Sequence, residues 1–389
     1  MSKTIVTGLD VGSAMVRVVV CELSTSNSQP RILALVRSES HGLKRGYVVN
    51  IDETSESIRR AIKEAEQAAR IKIKNVFAGI GGATLESKNG DSQIMISRPD
   101  AEISDHDVNR ALELTEADIP DLVNSRIIHT IPLWYKLDGK KILGRPDGMH
   151  GSKLEARVLF VTCLNQHLQN LIAAIEGAGL GIEDMIASPI AMSLPILTAQ
   201  QKNVGCVVAN IGAETTSLIV YEDGIPILVE TLPLGSIDIT NDIALGLQLP
   251  LEEAERVKVN SEHAPSSIKR KLEEIIDARL AEIFEHIENR LKKIGRNGLL
   301  PAGILLAGGG SQLYKIEQAA KENLKLPAKN YRPNIVDPRS RAQVRDSSFL
   351  AAYGLCLFGL GTDVEETLTN RAIKHTKYKF LKWLRELLP

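Results

Sequence analysis

Apolar positions along the chain cluster in two ways: as short β-branched runs, and as longer stretches in which they recur every third or fourth residue. Residues 204–209 have the density of a buried strand, and residues 218–221 supply a second strand ahead of the Glu222-Asp223-Gly224 turn. Between them stands Asn210-Ile211-Gly212-Ala213-Glu214-Thr215-Thr216. A tight turn with a small residue and neighbouring hydroxyls can offer N–H and O–H donors to phosphate oxygens; an ordinary β-hairpin would leave the same trace. The plan repeats near the start, where strands over 4–10 and 16–23 flank Asp10-Val11-Gly12-Ser13. Such an echo suggests two related halves facing one ligand.

Helical periodicity predicts a segment over 55–70, with Ile58, Ala61, Ile62, Ala65 and Ala69 on one face, leading into a strand over 76–80. Residues 84–163 are polar and turn-rich, with one helix over 105–117 and a final strand over 156–163, and are expected to form an inserted domain. Their loop 143–152 holds three glycines and Pro146 but no converging acids, histidines or thiols. Helices follow over 168–177 and 189–197, then over 239–245 and 251–259, then a long one over 267–294. Along the long helix Leu272, Ile276, Leu280, Ile283, Ile287, Leu291 and Ile294 make a continuous apolar stripe, which core packing explains; His286 lies off it. A buried strand over 302–307 runs into Gly308-Gly309-Gly310-Ser311, where consecutive glycines suit something flat lying against the main chain. A helix over 313–320 and an apolar helix over 347–359 complete the body.

At 389 residues and 43% hydrophobic content the chain can bury more than one core. A net charge of −1 argues against a nucleic-acid partner, which would need a basic surface to displace counterions. Cys21, Cys163, Cys206 and Cys356 are far apart in apolar segments, as expected of buried free thiols in a reducing compartment. No secretory signal opens the chain, and no uncharged window reaches the roughly 18 residues a spanning helix requires. Charge is uneven, however. Residues 371–389 carry six Lys/Arg against one Glu. At ~100° per residue, Phe380, Leu381, Trp383, Leu384, Leu387 and Leu388 share an arc of about 160°, opposite Lys379, Lys382 and Arg385. This is the pattern of a helix lying in the headgroup plane of anionic lipid; a C-terminal helix docked on its own protein is the alternative. One short helix binds lipid marginally, so the tail also predicts self-association.

The ordered set GLDVGSAMVRVVV, VVANIGAETTSLIVYEDG and ILLAGGGSQL, with helices ASPIAMSLPIL and SSFLAAYGLCLFG beside it, resembles the actin, Hsp70 and sugar-kinase ATPase superfamily. Within it the chain resembles the FtsA family of bacterial actin-like division proteins. Further matches run from Gly148-Met149 to Glu155-Ala156, through Thr240-Asn241-Asp242-Ile243-Ala244 and Pro250-Leu251-Glu252-Glu253-Ala254-Glu255, and at Leu300-Pro301-Ala302-Gly303. The resemblance implies an α/β, actin-like (ribonuclease H-like) two-domain fold with an inserted α+β subdomain and a C-terminal amphipathic helix. Subdomain 1A would comprise 1–83, 164–203 and 340–362, with 1C over 84–163. Subdomain 2A would comprise 204–235 and 300–339, with 2B over 236–299, then a linker over 363–373 and the membrane helix over 374–389.

The resemblance also implies site residues for ATP and Mg²⁺. Asp10, Gly12, Ser13 and Arg17 would form the first phosphate loop, and Gly212, Thr215 and Thr216 the second. Gly308, Gly309, Gly310 and Ser311 would form the adenosine loop, with Glu255 and Lys258 at the ribose and base. Asp10 would hold Mg²⁺ through water. Implied partners are FtsZ, through its C-terminal peptide on 2B, further copies of the chain in filaments, later divisome proteins on the insert, and anionic lipid. They would meet at the cytoplasmic face of the inner membrane at the division site. Relatives usually read Asp-Ile-Gly-x-Gly-Thr-Thr-Asp in the second loop; here Asn210, Glu214 and Ser217 replace the first Asp, the second Gly and the last Asp. An amide gives Mg²⁺ and attacking water less than a carboxylate does, so hydrolysis is expected to be slow or absent, and no residue is assigned as catalytic. The alternatives are an active ATPase or kinase of this fold and a PilM-like scaffold of pilus assembly.

Overall fold

The computed structural model describes residues 3–24, 30–119, 122–333, 335–336, 343–344 and 346–366. The chain opens with three antiparallel strands, β1 (Lys3–Val11), β2 (Met15–Ser24) and β3 (Arg31–Glu39). A small hairpin, β4 (Leu43–Lys44) and β5 (Tyr47–Val48), precedes helix α1 (Ile51–Ala69) and strand β6 (Asn75–Ile80). Helix α1 starts four residues earlier than its apolar period predicts. The Asn50 side chain caps Glu53 N–H at 3.2 Å, and Asp52 and Glu53 sit in the positive first turn.

The segment read as turn-rich is a four-stranded antiparallel sheet with one helix: β7 (Glu86–Met95), α2 (Asp105–Ala117), β8 (Ser125–Leu137), β9 (Lys140–Ile142) and β10 (Lys153–Leu164), in the order β7-β10-β8-β9. Its own core joins Ile94, Val108, Leu112, Tyr135, Leu154 and Phe160. Strand β7 escapes a hydrophobicity reading because nine of its ten residues are exposed or half-buried and only Ile94 is buried. Its pairing with β10 over ten positions carries it instead.

Helix α3 (Asn165–Gly177), strand β11 (Gly181–Ala187), helix α4 (Ser188–Ile196) and short helix α5 (Ala199–Val204) lead to the second domain. Val204 ends α5 rather than starting a strand, and Gly205, at φ +98°, turns the chain into β12 (Cys206–Ile211). Then follow β13 (Thr216–Glu222), β14 (Ile225–Leu232), α6 (Ser236–Leu247), α7 (Leu251–Val259) and α8 (Ser266–Lys293). Leu272, Ile276, Leu280, Ile283, Ile287 and Leu291 of α8 are buried against the second sheet, as is Phe284, and His286 is exposed. Each such burial stabilises by about 1.5–3 kcal/mol. Strand β15 (Ile304–Ala307), helix α9 (Ile316–Leu324), strand β16 (Ala328–Asn330), the pair β17 (Ile335–Val336) and β18 (Gln343–Val344), and helix α10 (Leu350–Glu366) complete the order. All four cysteines are buried and free.

The two five-stranded sheets share one plan. One runs β3-β2-β1-β6-β11 and the other β14-β13-β12-β15-β16. In each, three strands are antiparallel neighbours and the two added on the far side are parallel to the first. The turn echo read from sequence is therefore the visible part of a repeat of the whole sheet. Helices α4 and α10 cross between the halves at close range. A Cβ on Gly354 would lie 1.8 Å from the Ala191 carbonyl oxygen, and one on Gly8 2.0 Å from that of Ala352. Helix α10 runs on to Glu366, so positions 363–366, expected in the linker, are helical. The rest of the linker and the amphipathic tail over 374–389 lie outside the described residues.

Candidate functional site

The turns after β1 and β12 face each other across a cleft of about 390 Å³. Each closes the same way. Gly12 N–H donates to Met15 O at 3.1 Å, and Gly212 N–H donates to Thr215 O at 2.8 Å. A Cβ on either glycine would press on that carbonyl, at 3.1 and 3.0 Å respectively. The N–H groups of Ser13, Ala14, Ala213 and Glu214 donate to no acceptor among the described residues, so both turns offer bare donors beside the cleft.

Asp10 closes the floor between the turns. Burial pushes its carboxyl above the ordinary carboxylate range, opposed by the charge of Arg17 and by the Ser188 hydroxyl, which donates to Asp10 Oδ1 at 3.4 Å. Arg17 pairs with Asp10 across β1 and β2, as Ser217 pairs with Asn210 across β12 and β13. The second half thus repeats the geometry of the first without its charges. The hairpin β4–β5 reaches over the two turns: Gly46 N–H donates to Ser13 Oγ at 2.9 Å, and Arg45 N–H to the Glu214 carboxylate. Glu214 therefore ties the second domain to the first.

Beside the second turn, β15 delivers Gly308, at φ +86°, onto β12. A Cβ there would lie 2.3 Å from Asn210 Oδ1, and one on Gly310 2.5 Å from Ile211 Cγ2, whereas Gly309 faces open space. Opposite stands Lys258, buried, with Nζ donating to Ser236 O at 3.0 Å and Thr240 Oγ1 at 2.8 Å and lying 2.7 Å from the Glu255 carboxylate.

Eleven of the residues read from sequence line this cleft: Asp10, Gly12, Ser13, Arg17, Gly212, Thr215, Glu255, Lys258, Gly308, Gly309 and Gly310. Thr216 and Ser311 do not. Both are fully buried with their hydroxyls spent on main chain, Thr216 on Leu234 O and Ser311 on Gly308 O, each at 2.8 Å. They shape the loops instead of facing the cavity. The cleft also takes in Gly46, Gly81, Gly82, Ser188, Ser236, Gln312 and Ser348, which sequence reasoning missed. The Gly81-Gly82 pair after an apolar strand was a legible signal; Ser188 and Ser348, at helix starts, carry none without the fold.

Paired sheets of one topology around a cleft lined by two like-built glycine turns and a glycine loop define an actin-like fold. The same fold is seen in a chain of a PilM-PilN type IV pilus biogenesis complex, with a TM-score of 0.69, 22% identity and coverage of 91% of this chain and 98% of that one. It is also seen in MreB5 of Spiroplasma citri bound to ADP, with a TM-score of 0.54, 10% identity and coverage of 93% and 98%. The family model "Cell division protein FtsA" matches residues 207–354, and "SHS2 domain inserted in FTSA" matches 82–162. Cell division protein FtsA of Pseudomonas aeruginosa is 31% identical over 380 residues, 92% of this chain and 90% of that protein. That of Neisseria meningitidis serogroup B is 31% identical over 370 residues, 89% and 88%. The chain belongs to the FtsA family of cell-division proteins.

Proposed function

We propose that the chain is an ATP-binding, actin-like division protein that ties FtsZ filaments to the cytoplasmic membrane and gathers later divisome proteins. One observation carries the nucleotide part: two like-built glycine turns with unspent N–H donors face each other, with a glycine loop lining the same cleft. ATP phosphates would take the turns, and the base and ribose would lie between Gly309 and the Glu255–Lys258 wall. The donors suit a hydrated Mg²⁺ carried in with the phosphates: Asp10 supplies one carboxylate, and no three-ligand metal cluster occurs among the described residues. Bound there, the ion would neutralise phosphate charge. Asn210 and Ser217 leave attacking water without a second acid, so nucleotide acts here as a conformational ligand that favours the filament-forming state.

Family membership supports the remaining parts: FtsZ C-terminal peptide on 236–299, filaments of the chain itself, and divisome proteins on the insert. No helix among the described residues is long and apolar enough to cross a membrane. The cationic amphipathic tail over 374–389 would lie on anionic lipid at the division site.

Titration of the full chain with Mg-ATP tests the core of the reading. Saturable binding is expected, and no binding at millimolar ATP would reject it. Sedimentation with anionic liposomes tests the tether: a chain ending at Ala372 should stay in the supernatant, and pelleting would refute the role of the tail.

A further inference from the structure

Two adjacent serines at the entry to α10 grip the two halves of the cleft separately. Ser347 is buried, and its Oγ accepts Gly308 N–H at 3.0 Å and lies 3.5 Å from Ser311 Oγ. It therefore holds the glycine loop of the second domain. Ser348 faces the cleft, and its Oγ accepts from Arg17 Nε at 3.0 Å, while Arg17 Nη1 reaches Met15 O at 3.5 Å. It therefore holds the cation of the first phosphate turn. Asp346 fixes the pair in place by accepting Ser348 N–H at 2.9 Å and lying 3.6 Å from Arg37. Helix α10 behind them cannot shift freely, because its backbone touches β1 and α4 at Gly8 and Gly354.

We infer that Ser347 and Ser348 are positioning residues that divide nucleotide recognition between them, Ser348 aligning Arg17 for the phosphate chain and Ser347 aligning the glycine loop for the adenosine. A guanidinium rotates about several bonds, and a single hydrogen bond to Nε leaves Nη1 and Nη2 aimed along one direction. Ser348 supplies that bond from outside the turn, so its loss frees the cation without unfolding the loop. Within the glycine loop Ser311 Oγ holds the Gly308 carbonyl, and Ser347 supplies the anchor for the Gly308 N–H from outside the loop. This rests on the cleft being an ATP site.

The test is competition of ATP, ADP and adenosine against a fluorescent ATP analogue on the full chain. Ser348→Ala should weaken ATP and ADP about tenfold, the loss of one hydrogen bond to a charged group, and leave adenosine within about twofold. Ser348→Thr, which keeps the hydroxyl, should restore binding. Ser347→Ala should weaken all three ligands alike. Because Ser347 is buried, melting temperatures accompany each variant, and a double-mutant cycle between Arg17→Gln and Ser348→Ala gives a second measurement. Strong non-additivity is expected there. Additive effects, or a Ser348→Ala loss equal for ATP and adenosine, would overturn the inference while leaving the ATP site standing. Failure of the unaltered chain to bind any of the three would remove the site itself.

Discussion

Gly308 and Gly309 stand side by side and have opposite reasons to be glycine. Gly308 sits at φ +86° against Asn210 and the Ile211 carbonyl, so any side chain meets both backbone strain and a collision. Gly309 has no atom within 4 Å of a would-be Cβ and faces the space a ligand would use. Gly308→Ala should therefore destabilise by well over ~1 kcal/mol, seen as a lower melting temperature. Gly309→Ala should melt like the unaltered chain and lose nucleotide affinity; equal melting of the two variants would contradict the contacts described. Asn210 lies at the same place in the second turn as Asp10 in the first, but as an amide. Asn210→Asp should raise ATP turnover, measured as phosphate release, because it would give the second turn of the proposed site the carboxylate that its counterpart Asp10 gives the first. Fast turnover before the change would instead reassign the protein as a working ATPase.

Among elements, the insert is joined to the body by more than its two chain connections. His129 of β8 accepts Ala187 N–H of β11 at 2.9 Å, and the start of β7 with Leu85 just before it meets the free edge of β14: Leu85 O accepts Thr231 N–H and Ser87 Oγ accepts Val229 N–H, each at 2.9 Å. Burial pushes the His129 imidazole down to about 3. A folded-state value below the unfolded one means that stability is full above pH 6.5 and is lost as pH falls toward 3, because the unfolded chain takes the proton first. At pH 5 the loss from this residue is roughly 2 kcal/mol relative to pH 8. His129→Gln keeps an acceptor and removes the titration, so its melting temperature should fall less between those pH values; identical slopes would show that the imidazole is not the acid-sensitive group. His167, held below its ordinary value by burial and opposed by its contact with Gly81 O, supplies part of the slope that remains.

On the scale of the whole molecule, a carboxylate bridges the two domains at the cleft. The Glu214 carboxylate takes Arg45 N–H from the opposite domain, in a turn whose neighbouring N–H groups are unspent. A phosphate entering there competes with it. Glu214→Ala should raise ATP affinity severalfold at low ionic strength, with the gain shrinking as salt screens the repulsion. Titrations at two salt concentrations check this, and a fall in affinity would mean that the bridge holds the binding-competent closure. The chain itself determined the turns at Gly12 and Gly212, the glycine loop, the α8 stripe and the amphipathic pattern of the tail, because each is local: a run, a period or a residue type within one segment. It could not determine β7, whose side chains are polar and whose order comes from pairing with β10. Nor could it assign Thr216 and Ser311 to the loops they brace, or bring Ser188, Ser236 and Ser348 to the cleft. A hydroxyl looks the same in a sequence whether it faces a ligand or a carbonyl. Its surroundings are decided by two sheets closing on each other, and only that closure separates the residues that face the cleft from those that shape its loops.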